Sequence, residues 1–182
     1  MLFLAVFLIS SVLGYDETKC DSSNLPIAMK CIIKHRELRQ QATTLDFGDD
    51  KNIVKLNGIC SDFLKCSVPM KCGGTDEDVE NIDKAISYCH AVAFHVSPGY
   101  LSCADKVDTK NSTCVQGWNP FPEIEGSEEE KDMIQKTACE NFFGRDGCLE
   151  QEISDVCSVD LWKEFKKHYL ALNDIIEACD FS

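Results

Sequence analysis

Apolar residues recur along this chain every three to four positions, and no segment alternates for long with a period of two. The first such segment runs from Asn24 to Gln41, where Ile27, Cys31, Ile32 and Leu38 can share one helical face and Pro26 is tolerated in the first turn. Gly48-Asp49-Asp50 then signals a loop. Residues 52–65 place Ile53, Leu56, Ile59, Cys60, Phe63 and Leu64 at helical spacing, and Pro69 with Gly73-Gly74 ends that element. Thr75, followed by Asp76-Glu77-Asp78, reads as an N-cap with acidic residues in the first turn. Val79, Ile82, Ile86, Cys89 and Ala93 form the stripe behind it, and Pro98-Gly99 reads as its stop. From Tyr100 to Gly126 the pattern is irregular.

Ser127 and Glu130 have the spacing of a capping box, which predicts a helix as far as Phe143 with Gly144 as its end. A shorter helix is expected between Cys148 and Cys157. In the last element, capped by Ser158 or Asp160, Trp162, Phe165, Tyr169, Leu172, Ile176 and Cys179 form one seam. The expected fold class is all-α, a disulfide-cross-linked bundle of about five to seven helices.

The cross-links are expected because the chain holds twelve cysteines: Cys20, Cys31, Cys60, Cys66, Cys72, Cys89, Cys103, Cys114, Cys139, Cys148, Cys157 and Cys179. They follow an uncharged, apolar opening that includes Leu2-Phe3-Leu4-Ala5-Val6-Phe7-Leu8-Ile9. Residues 1–14 read as a signal peptide cleaved after Gly14, leaving residues 15–182 as one secreted, extracellular domain. An oxidising destination and an even cysteine set predict six disulfides. Helical rise separates Cys148 from Cys157 by roughly 13 Å on one helix, beyond disulfide reach, so these two should not pair with each other. The same exclusion applies to Cys20 and Cys31 if they share a helix. Sequence leaves the remaining pairings open.

The leader is shorter than a bilayer span, which takes about 20 apolar residues, so no membrane span is expected. The formal charge of −13 disfavours nucleic acid and anionic membrane surfaces, both of which call for basic patches.

The C-terminal third carries Ala138-Cys139-Glu140-Asn141-Phe142-Phe143-Gly144, then Cys148, Glu152-Ile153, Cys157, Trp162, Phe165, His168 and Cys179-Asp180-Phe181. Upstream stand Tyr100-Leu101-Ser102-Cys103 and the run from Asn111 to Phe121. Together these motifs resemble the nematode-expanded family of secreted twelve-cysteine proteins known as a domain of unknown function, over roughly Cys20 to Phe181. Where the family pattern has a Cys-Gly pair, this chain has Cys157-Ser158. The resemblance implies a secreted, disulfide-bonded helical domain and lends no catalytic residues.

Candidate chemistry is sparse. The closest cysteines, Cys60, Cys66 and Cys72, are too widely spaced for zinc pairs, and no metal or cofactor is expected. His90 and His95 do not share a helical face; these two, with His35 and His168, are read as structural or solvated. No Gly-x-Ser-x-Gly elbow occurs, no phospholipase-type calcium loop accompanies Cys89-His90, and no nucleophile–base–orienter set can be assembled. The acidic run Glu123 to Asp132 lacks the spacing of a calcium loop and reads as a solvated helix start.

Asn111-Ser112-Thr113 is a glycosylation sequon in an expected surface loop. Trp162 is expected in the core. Trp118 and Phe121, in a Pro-rich loop, are the candidate exposed contacts for a partner. The expected function is a secreted, non-enzymatic binding domain for an unknown extracellular protein. The alternative is a carrier of a small apolar ligand, although the cysteine patterns of odorant-binding proteins and saposins are missing. A secreted hydrolase is the third reading.

Overall fold

The computed structural model describes residues 25–44 and 50–181. The leader, its cleavage point, Cys20 and the turn residues Gly48-Asp49 lie outside them. The described residues form helices joined by short turns, with no strands. In order they are α1 (Leu25–Thr44), α2 (Asp50–Leu64), the one-turn α3 (Ser67–Met70), α4 (Asp76–His95), α5 (Pro98–Lys110), α6 (Glu128–Glu140), a 3-10 turn at Arg145–Gly147, α7 (Cys148–Val156) and α8 (Val159–Ile176). The all-α disulfide-linked bundle expected from the sequence is the observed class.

Local chemistry places several of the boundaries. The Thr75 hydroxyl accepts from the Asp78 N–H while the Asp78 carboxylate accepts from the Thr75 N–H, a full capping box at the start of α4. Ser127 and Glu130 repeat the arrangement at α6, and Ser158 caps α8 through the Leu161 N–H. The main departure is α5. Pro98 does not merely stop α4; it occupies the first turn of a new helix whose N-cap, Ser97, accepts from the Tyr100 N–H. Proline suits that position because its fixed φ is helical and its missing N–H would have had no partner. The helix expected to reach Phe143 ends at Glu140, and residues 141–144 turn away.

The core is in two parts. Cys31 and Leu38 of α1, Leu56, Cys60 and Phe63 of α2, and Ile82, Cys89 and Val92 of α4 form the first. Phe94, Cys103, Val107, Phe142, Leu149, Ile153, Trp162, Phe165 and Tyr169 form the second. Helix α4 serves both, which explains why neighbouring positions Ala91, Val92 and Phe94 are all buried while Ala93 of the expected stripe is exposed. Helix α8 packs along α4 and is the main connection between the parts. Ile27 and Ile32, expected to be buried, are 44% and 48% exposed; only Cys31 and Leu38 anchor α1 inward.

The α8 seam holds at Trp162, Phe165 and Tyr169, then changes character. Ile176 is exposed, and Asn173 is buried in a reciprocal pair with the main chain of Cys179, donating to its carbonyl and accepting from its N–H at 2.8 Å each. That pair folds the C-terminal segment back after Glu177, whose φ is +52°.

The disulfides follow the same division. Cys31–Cys66 and Cys60–Cys89 staple the first part, with Cα separations of 5.5 and 5.0 Å. Cys103–Cys157, Cys114–Cys148 and Cys139–Cys179 staple the second, at 5.6, 5.9 and 5.5 Å. Cys72 is also disulfide-bonded. Cys148 and Cys157 reach to different elements, as helical rise requires. All six cysteines beyond residue 100 pair among themselves, so no disulfide joins the two parts.

Candidate functional site

A concavity beside the sequence-selected residues lies between the loop of residues 113–122, helix α6 and the turn at 144–148. It encloses about 810 Å³. Its loop wall is built locally. Asn111 caps α5 in the left-handed region, at φ +49°, and the Gln116 amide donates to both its main-chain and side-chain oxygens, the latter at 2.7 Å. Ser112 accepts from the Val115 and Gln116 N–H groups, and Gly117 turns the chain at φ +74°. Asn119 then accepts from the Phe121 N–H, closing a side-chain turn.

Cys114–Cys148 fixes this loop to the start of α7. Gly144 lies beneath that bridge at φ +80°, where a Cβ would sit 2.7 Å from the Cys148 sulfur and 3.1 Å from that of Cys114. Only glycine serves both the backbone conformation and the close approach.

The opposite wall is unusual. Helix α6 buries no residue. Its hold on the bundle runs through Cys139–Cys179 and through the Gln135 amide, which donates to the Ala178 carbonyl at 2.6 Å. Met133, Ile134, Thr137, Ala138 and Asn141 therefore face the groove instead of a core. Met133 is 63% exposed. The groove has apolar patches from Trp118, Pro122, Met133 and Ile134, and a polar rim that includes Gln116, Asn119, Arg145 and Asp146.

Trp118 and Phe121 are not the exposed contacts expected of them. Both are half-buried and pack against the second core. The Trp118 indole N–H donates to the Phe142 carbonyl at 3.0 Å, and its ring lies 5.3 Å from Tyr169 and 5.7 Å from Phe165. Phe121 meets Phe142 edge-on at 5.4 Å. The physical reason is that the loop runs over the open end of the α5–α7–α8 core, where inward-facing aromatic surface removes more apolar area from water than outward-facing surface. Trp118 keeps one edge on the groove; Phe121 does not line it. Trp162 is core, as expected. Asn111 is exposed at the start of the loop.

The helical spacing of Met133, Ile134, Thr137, Ala138 and Asn141 was the available sign of the α6 wall. It was obscured by the acidic run, whose members Glu123, Glu125, Glu128, Glu129 and Glu130 are all exposed. Glu130 is held below the usual carboxylate range by the Ser127 N–H and hydroxyl, in keeping with a capping role.

The histidines lie away from the groove. His35 stacks on Phe63 at 5.4 Å, and burial lowers its pKa. His95 and His168 meet where α4, α5 and α8 converge. Nδ1 of His95 lies 3.0 Å from the Ala91 carbonyl and Nε2 lies 3.2 Å from the Tyr169 hydroxyl. His168 stacks on Phe94 at 4.8 Å, with Glu164 at 3.4 Å from its Nε2. Burial lowers the pKa of both imidazoles and raises those of Tyr100 and Tyr169. Among the described residues no cluster of three or more His, Cys, Asp or Glu side chains has metal-binding geometry. Among them, too, no helix is long and apolar enough to cross a membrane.

Residues 20–180 match the family model described as a domain of unknown function, DUF19. The chain is 34% identical over 158 residues to the UPF0376 protein F10G2.1 of Caenorhabditis elegans, covering 85% of this chain and 78% of that protein. It is 28% identical over 161 residues to Excretory canal abnormal exc-13 of the same organism, covering 85% and 79% respectively. A third relative, the UPF0376 protein C36C5.12 of Caenorhabditis elegans, is 27% identical over 172 residues, covering 91% of this chain and 78% of that protein. No solved structure matches.

Proposed function

This chain belongs to the DUF19 family of domains of unknown function, and from that premise we propose that it is a secreted, non-enzymatic binding domain whose recognition surface is the groove between α6 and the 113–122 loop. The observation that carries this reading is α6 itself, a helix of 13 residues with none buried. Amphipathic helices in water bury their apolar stripe. Here Met133 and Ile134 face a groove large enough for a short segment or a few side chains of a partner. Disulfides at the loop and at the end of α6 hold both walls, so little ordering cost is left for the binding step.

The apolar leader and the paired cysteines support secretion. The exposed Asn111 sequon supports an N-glycan beside the groove entrance, where it would limit the approach of a partner from the α5 side. Enzymatic deglycosylation of wild type and Asn111→Gln tests that glycan: one mass shift in the former and none in the latter is the expected result.

A photo-crosslinking amino acid at Met133, compared with one at exposed Lys163 on α8, tests the recognition surface. Crosslinking of one extracellular protein from Met133 only, competed by unlabelled domain, is the expected result. Equal crosslinking from both positions, or from Lys163 alone, rejects the groove.

The carrier reading has one observation in its favour. An apolar cavity of about 110 Å³ lies among Tyr100, Val107, Val115, Trp118, Ile153 and Phe165. It is smaller than the cavity of about 150 Å³ known to admit benzene, which restricts any cargo to a very small ring or chain. Native mass spectrometry of the secreted protein separates this reading from the first.

A further inference from the structure

We infer that the α4–α8 junction is an acid-operated hinge, at which the two separately stapled parts of the domain loosen from one another when His95 and His168 take up protons, with the disulfides of each part intact. The covalent layout makes this possible. Every cysteine beyond residue 100 is paired within the second part, and Cys31–Cys66 and Cys60–Cys89 are confined to the first. Apart from the continuous chain through α4 into α5, the junction is held by packing and hydrogen bonds, chiefly between α4 and α8.

The end of that contact nearest the α4 C-terminus is titratable. With neutral His95, the Nδ1–H donates to the Ala91 carbonyl and Nε2 accepts the Tyr169 hydroxyl proton. Tyr100 of α5 packs against the same imidazole, with ring centroids 4.9 Å apart. Protonation turns Nε2 into a donor, so the Tyr169 hydroxyl must turn to accept from it, its own proton needs another acceptor, and a positive charge is added inside a buried cluster. His168 is 7% exposed and stacked on Phe94, so its charged form must also be taken from water into an aromatic setting.

The groups that bear on the pair come from three helices. Helix α4 contributes His90, α5 contributes Tyr100, on which Asp108 acts in turn, and α8 contributes Glu164, Lys167 and Tyr169. Only Glu164 favours protonated His168; burial, Lys167, His90 and His95 oppose it and prevail. Burial of His95 outweighs its bond to Ala91.

Both folded-state pKa values lie below the unfolded imidazole value of about 6.5. The unfolded or opened form therefore binds more protons. The stability that the neutral imidazoles give the junction is therefore fully present above about pH 6.5 and declines as pH falls below it.

The test uses the full, disulfide-bonded chain in small-angle scattering, near- and far-ultraviolet circular dichroism and histidine nuclear magnetic resonance, from about pH 7.5 to pH 5. On acidification the radius of gyration should rise and near-ultraviolet signal should fall, with helix content kept. His95→Gln with His168→Gln should remove the transition, and His35→Gln, altered in the first part only, should retain it. An unchanged radius of gyration across the range overturns the hinge, as does a transition that survives in the double variant or vanishes in His35→Gln. Should the double variant fail to fold, the wild-type titration decides: His95 or His168 titrating at or above the free imidazole value overturns the inference, and titration below it coincident with the expansion supports it.

Discussion

Trp118 donates its indole N–H to the main-chain carbonyl of Phe142 across 24 residues of sequence, at 3.0 Å. This bond ties the loop wall of the groove to the turn that follows α6, and so sets the distance between the two walls. It also makes Trp118 a packing residue with one edge on the surface. Trp118→Ala should cost roughly 2–3 kcal/mol, below the 3–5 kcal/mol of a fully buried tryptophan because the side chain is only half-buried. Trp118→Phe keeps most of the ring contact and leaves the Phe142 carbonyl without its donor, for about 1 kcal/mol. Chemical denaturation of both variants checks the order. Equal stability of Trp118→Ala and wild type would return Trp118 to the role of a free surface contact.

Trp162→Ala supplies the comparison. Its side chain is 4% exposed and packs against Phe143 and Phe165. The expected loss is about 3–5 kcal/mol, a large part of a typical domain's 5–15 kcal/mol. A lowered melting temperature is the expected readout, and an unchanged melt would place Trp162 outside the core.

The parts of this fold that were legible in the sequence are those decided within one or two turns. Thr75–Asp78 and Ser127–Glu130 reveal their helix starts because both partners of each cap are three residues apart. The α8 seam is legible as far as Tyr169 because period alone orients it. It fails at Asn173, whose partner is the main chain of Cys179 after a left-handed turn that no periodicity announces. Helix α5 was hidden by Pro98, a residue that fits a helix start as well as a stop; Ser97 before it was the deciding signal.

The direction of Trp118 and Phe121 was not legible, because a loop aromatic turns inward or outward according to which core end it crosses. The groove was not legible for a related reason. Its α6 wall is defined by how incompletely the neighbouring elements cover the helix, which is a property of the assembled helices and not of the helix sequence.

Disulfide pairing was readable from sequence only as exclusions, and the structure now narrows it to one open bond. The six cysteines beyond residue 100 are paired among themselves, and Cys31, Cys60, Cys66 and Cys89 are paired with one another. Cys72 is bonded, and Cys20 is the one cysteine of the sequence outside these pairs. Peptide mapping of the unreduced purified protein should return a Cys20–Cys72 linked peptide and no peptide joining residues 20–89 to residues 103–179. A crossed peptide would refute both this pairing and the covalent independence of the two parts.

Gly144 offers the sharpest local test of how the groove is built. Its φ of +80° strains any L-residue, and an added Cβ would meet the Cys148 sulfur at 2.7 Å. That approach is below any ordinary carbon–sulfur contact, and the sulfur is fixed by its bond to Cys114, so it cannot move aside without shifting the loop. Gly117 is the control: its φ is +74°, and nothing lies within 4 Å of an added Cβ. Gly117→Ala should cost about 1 kcal/mol from backbone strain alone. Gly144→Ala adds a clash to similar strain and should cost several-fold more, on the order of 3 kcal/mol. Because the clash falls on the Cys114–Cys148 bridge, thiol titration of the purified Gly144→Ala protein should reveal two reactive thiols where Gly117→Ala reveals none. Matching melting temperatures and thiol counts in the two variants would show that the bridge does not rest on the glycine and that the loop wall has freedom this geometry denies it.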